Sequence, residues 1–161
     1  MKNKIFLVCF FVFNSSVFSQ SQPNSLYLEL FGNGVIYSIN YDKLFSNCTG
    51  GRIGFMFLWG GRDGIAYRDI AVLPVMFHYF ISFHNHKIEF GIGPLIALEG
   101  ASEFEFLGVD NLSSFGIGGT ATIGYRFQKE EGGFLFRIGF TPLFGISGLI
   151  PSGGLSFGIG F

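Results

Sequence analysis

Charge is what this sequence lacks most. Asp, Glu, Lys and Arg make up 13% of its 161 residues, about half the share of an ordinary globular chain. So few charges cannot cover a water-facing surface. The 10 basic residues are scattered among 11 acidic ones. There is no basic stripe or cluster, which excludes the electrostatic footprint of a nucleic-acid binder. Cysteine is nearly absent. Cys9 lies in the leader described below, so Cys48 has no internal disulfide partner and reads as a free thiol in a turn. Beyond the first 20 residues no apolar run is long enough to cross a bilayer as a helix. Yet 48% of the residues are hydrophobic, with 23 Phe and 25 Gly. That apolar content must be spread in another pattern, and the length suits one domain.

The first stretch, MKNKIFLVCFFVFNSSVFSQ, has two early lysines, an apolar run from Ile5 to Phe13, then small and polar residues. This is the pattern of a secretory signal peptide. Val17-Phe18-Ser19 fits the cleavage rule, so residues 1–19 are expected to be the signal peptide and Gln20 the mature N-terminus. A lipoprotein anchored at Cys9 is the weaker reading, because Val8 stands where a small residue is wanted.

From there the period is two. In SSFGIGGTATIGYRFQ, Phe115, Ile117, Ala121, Ile123, Tyr125 and Phe127 share one face. Gly116, Thr120, Thr122, Gly124, Arg126 and Gln128 share the other. GGFLFRIGFTPLFG, KIEFGIGPLIALE, GRIGFMFLW, VIYSINYD and SLYLELF repeat the alternation. YRDIAVLPVMFHYFIS is apolar on both faces; it reads as a strand with Leu73, Val75, Phe77 and Tyr79 on the greasy face and His78 opposite. With the closing GGLSFGIGF, eight strands are expected, near 25–32, 35–44, 50–60, 67–82, 86–100, 113–128, 132–146 and 153–161. Short turns alternate with longer connections, except that Asn33-Gly34 signals a tight hairpin among the longer ones. Pro74, Pro94 and Pro142 interrupt strands four, five and seven, where bulges are expected.

The nonapolar face is mostly Gly, Ser and Thr, too thin in charge to meet water, whereas the apolar face is Phe, Ile and Leu. That suits a sheet with its greasy side to lipid and its small, polar side to a narrow lumen. In lipid such a sheet must close on itself. Tyr41, Tyr79 and Tyr125 fall on the greasy face at one end of strands two, four and six, and Trp59 marks the other end of strand three. Aromatic girdles of this kind mark the two interfaces of a spanning barrel.

The charges expected to point inward are Glu29, Asp42, Arg52, Lys87, Glu89, Glu99, Arg126 and Arg137. Burial demands that they pair. Strand adjacency predicts Asp42 with Arg52 and Glu89 with Arg126, with Glu29 and Arg137 joining the same network. An eight-stranded lumen is just wide enough for its own side chains, so a polar plug is favoured over an ion path. His78, His84 and His86 are the only imidazoles. His84 and His86 belong to a turn, and no serine is assignable to His78. No catalytic, metal or cofactor site is expected. The segment from Glu99 to Asp110 carries four acidic residues and no basic one, and reads as a solvated loop.

On these residues the chain resembles the small outer-membrane β-barrel proteins of Gram-negative-type bacteria. The likeness spans residues 20–161 and is sharpest in the final strand, where Leu155, Phe157, Ile159 and Phe161 alternate with Gly154, Ser156, Gly158 and Gly160. The resemblance implies an all-β fold, an eight-stranded antiparallel up-and-down transmembrane β-barrel. It implies residence in the bacterial outer membrane among lipid and lipopolysaccharide. It also implies that the final strand is presented to the outer-membrane assembly machinery. The expected role is structural or a surface interaction. A lipid A-modifying enzyme, a narrow channel and a secreted soluble barrel for an apolar ligand are the alternatives.

Overall fold

The structure, a computed structural model, describes residues 24–58, 70–98, 115–129, 131–146 and 148–161. The leader, Trp59, Glu99 and the acidic loop lie outside the described residues.

Phe, Ile, Val and Thr favour pleated, half-buried backbone, and among the described residues they build ten strands. They are β1 (Asn24–Phe31), β2 (Tyr37–Leu44), β3 (Thr49–Leu58), β4 (Ile70–Phe83), β5 (His86–Leu98), β6 (Phe115–Gln128), β7 (Gly133–Phe140), β8 (Leu143–Gly145), β9 (Gly148–Ile150) and β10 (Gly153–Gly160). Strands β1 to β7 pair antiparallel with their neighbours in order, and β10 pairs with both β7 and β1. The ring is therefore closed and has eight staves. Strands β8 and β9 keep the register of β7 and β10, so they are the upper parts of staves seven and eight. The stretch between the seventh and eighth expected strands thus contains β9, Gly148–Ile150. The seam closes at Asn24 and Phe161, whose backbones exchange two hydrogen bonds of 2.8 Å.

Short turns join β2 to β3, β4 to β5 and β6 to β7 at one end of the barrel, here called the turn end. The prolines correct an expectation. Ladder pairing lapses beside Pro74, Pro94 and Pro142, but the register is the same on both sides of each gap. No residue is inserted, so these are missing hydrogen bonds and not bulges.

The faces alternate as the period predicts. Leu28, Ile53, Phe77, Ile92, Ile123, Ile138 and Phe157 are among the exposed apolar side chains of the outer wall. Tyr41, Tyr79 and Tyr125 are exposed there too, near the turn end. The lumen holds the buried polar residues and, toward the far end, an apolar cluster of Met56, Val72, Leu95, Ala97 and Leu143.

The first connection does not form the tight hairpin that Asn33-Gly34 suggests. Gly32–Gly34 make a 3-10 turn whose residues are all buried. The chain leaves β1 at Phe31 (φ 58°, ψ −144°) and returns at Val35 (φ 72°, ψ −69°). Both are rare for residues with a Cβ, and such conformations cost about 1–3 kcal/mol each.

Candidate functional site

Among the described residues, the lumen is where this charge-poor chain concentrates charge. Glu29, Asp42, Arg52, Lys87, Glu89, Arg126 and Arg137 are all buried, each from a different inward position of the ring. Register sets Lys87 opposite Arg126 and Arg126 opposite Arg137, a row of cations across β5, β6 and β7. Like charges so placed repel, and each arginine reaches past its neighbouring stave to a separate carboxylate.

Near the turn end, Arg126 donates from Nη1 to Asp42 Oδ2 at 2.8 Å and from Nε to Gln128 Oε1 at 2.8 Å. Its guanidinium lies 5.2 Å from the centre of the Phe80 ring. Gln128 and Arg126 both donate to Ser25 Oγ, at 2.7 and 3.2 Å. At mid-height, Arg137 holds Glu89 with both arms of its fork, the Nε bond to Oε2 being 2.9 Å. Its Nη1 donates to Tyr27 Oη at 2.7 Å. Arg52 donates to Glu29 Oε2 at 3.0 Å and to Asn33 Oδ1 at 2.8 Å. Fork geometry with two acceptors is the strong form of this contact.

The structure therefore exchanges the partners that adjacency predicts. Asp42 does sit directly opposite Arg52 in the ladder, yet it is Arg126 that meets it, and Arg137 that meets Glu89. In a narrow ring the side chains converge on the axis. Arg126 on β6 spans to Asp42 on the opposite wall at β2, while Arg137 and Arg52 each reach past one stave, from β7 to β5 and from β3 to β1.

His78 lies inside this network. Its Nδ1 is 3.2 Å from Glu89 Oε1 and 3.8 Å from Asp42 Oδ2, but neither ring nitrogen makes a well-aligned hydrogen bond. The ring packs over Gly91, where a Cβ would stand 2.4 Å from it. His84 and His86 are exposed, and His86 meets Tyr125 Oη at 2.6 Å. Cys48 is a free, exposed thiol in the turn between β2 and β3. Among the described residues no group of His, Cys, Asp and Glu is arranged to hold a metal ion.

Asn33 belongs to the network and sequence reasoning missed it. Its carboxamide oxygen accepts from Arg52 and, at 3.1 Å, from Thr122 Oγ1. Its nitrogen donates to Thr120 Oγ1 at 2.5 Å and to the Ala121 carbonyl at 3.2 Å.

A closed, eight-staved, charge-filled barrel invites comparison with solved structures. The crystal structure of the N-terminal β-barrel domain of Pseudomonas aeruginosa OprF superposes with a TM-score of 0.62. The match covers 88% of this chain and 98% of that one, at 9% sequence identity. The fold is that of the OprF barrel domain. At this identity the likeness to OprF speaks for architecture alone. No protein-family model and no curated protein sequence matches the chain.

Proposed function

We propose that the chain is an integral outer-membrane β-barrel protein with a structural or surface-interaction role and no enzymatic activity. One observation carries the reading. Every charge of the described strands that points inward is buried, while the outer wall presents apolar side chains on every stave. Ile92, Ile123 and Ile117 are 69, 58 and 57% exposed. In water each such side chain forgoes about 1.5–3 kcal/mol of burial; in lipid it does not. The filled lumen supports a plug that holds the barrel's shape, since arginine forks from β3, β6 and β7 tie together staves that are not neighbours.

Residues 1–19 would export the chain, and lipid and lipopolysaccharide would surround residues 20–161. Cell fractionation followed by SDS gels of boiled and unboiled samples tests this. Recovery with the outer membrane and a heat-dependent shift are expected. Recovery in the soluble periplasm or medium with no shift would overturn the proposal.

Leu155, Phe157, Ile159 and Phe161 line the outer face of β10 and its end, and are proposed as the signal to the assembly machinery. Phe161 also contributes both hydrogen bonds of the closing pair with Asn24. Deleting Phe161 is expected to lower the heat-shifted form several-fold, whereas deleting a residue or two from the 101–112 segment leaves it nearly unchanged. Equal tolerance of the two deletions counts against the signal.

A further inference from the structure

The connection from Phe31 to Ile36 and the Pro142 gap are far apart in sequence but meet in the lumen. In an antiparallel ladder a hydrogen-bonded pair exchanges two bonds. Ala121 and Pro142 are such a pair, and the Ala121 amide donates to the Pro142 carbonyl at 3.2 Å. The return bond cannot form, because proline has no amide hydrogen. The Ala121 carbonyl is left without its ladder donor, and the Asn33 side chain donates to it from across the barrel. Asn33 thus stands in for the hydrogen that Pro142 lacks.

Two opposing influences act on this connection. Four side-chain bonds from Asn33 hold it inside. The positive φ angles of Phe31 and Val35 strain it there. Seated, it covers Ser38, which is fully buried and lies so close that a Cβ on Gly34 would come within 2.5 Å of its own. Val35 and Tyr37 pack against the apolar cluster that lies toward the far end. We propose that residues 31–36 form a two-state plug, latched by Asn33 onto the carbonyl that Pro142 leaves open. Seated, the plug shuts the far end of the lumen; released, it exposes the polar interior from that side.

A thiol reporter tests the latch in refolded protein in micelles, whatever membrane the chain inhabits in the cell. With Cys9 and Cys48 replaced by serine, Ser38→Cys places one thiol beneath the plug. A water-soluble maleimide is expected to label it slowly. Asn33→Ala is expected to speed labelling by about tenfold or more, as for loss of hydrogen bonds to buried groups. Pro142→Ala restores the ladder donor, competes with Asn33, and is expected to speed labelling by a smaller factor. Asn33→Ala with Pro142→Ala should label no faster than Asn33→Ala alone, and should recover part of the urea stability that Asn33→Ala loses. Equal labelling with and without Asn33, or effects of the two substitutions that simply multiply, would overturn the latch. Unboiled gels verify that each variant is folded. If Asn33→Ala does not fold, Pro142→Ala decides alone, and unchanged labelling in it overturns the proposal.

Discussion

Arg137→Met is expected to cost about 3–5 kcal/mol of folding stability, read as a large fall in the urea midpoint of the barrel refolded into lipid vesicles. The substitution keeps the length of the side chain and removes its charge. Glu89 is then left 1% exposed without the fork that neutralises it. The cost comes from that orphaned carboxylate more than from the lost bonds, since a buried pair is worth little against an apolar pair of equal volume. A second variant separates the two terms. Arg137→Met combined with Glu89→Gln should recover most of the loss, because no uncompensated charge remains. Tyr27 loses a donor in both variants, so recovery stays incomplete. Glu131→Gln, in an exposed turn, serves as the control and should change stability by less than about 0.5 kcal/mol. A loss below about 1 kcal/mol for Arg137→Met would mean that water reaches Glu89 and compensates its charge.

The barrel was legible because a period of two survives any tertiary arrangement of a sheet. Ile117, Ile123 and Tyr125 must share a face once they are in one strand, and the opposite face then holds Thr120, Thr122 and Arg126. Closure was expected from the same pattern, since a sheet with its apolar face to lipid must pair every backbone group internally. Pairing across the lumen was not legible. It depends on how far Arg126 reaches over the axis and Arg137 past its neighbouring stave, a property of the ring's width, and no single strand encodes that. The proline gaps were misread for a related reason. A lost amide hydrogen and an inserted residue leave the same mark in a sequence, and only the unchanged register beside Pro142 tells them apart. Asn33 was hidden by its own context. Asn-Gly is the strongest local signal for a tight turn, and local signals carry no word of a vacant carbonyl on β6. The available hint was that Asn33 sits between two glycines while a proline interrupts a strand elsewhere, two halves of one contact.

The outer wall gives the other large effect. Ile123→Arg on β6 is expected to cost about 2–4 kcal/mol, the measure for a cation facing lipid near the bilayer midplane. Ile123 is 58% exposed and pairs with Phe90 and Phe140, themselves exposed aromatics at the middle of the wall. The arginine can reach water only by bending along the barrel toward one interface. Ile81→Arg on β4 tests depth. Ile81 is 42% exposed and lies two residues from Phe83, where the turn to β5 begins. Its head can reach the headgroups, so the cost should fall to about 0–1 kcal/mol. In a wall that faced water, both changes would fall within about 0.5 kcal/mol of zero. The gradient between the two sites is therefore more telling than either value. Loss of stability that grows with distance from the turn end is a property of the solvent outside the barrel, since neither side chain touches the network inside. A flat response at both sites would put the wall in water and leave its exposed isoleucines and phenylalanines without a solvent that favours them.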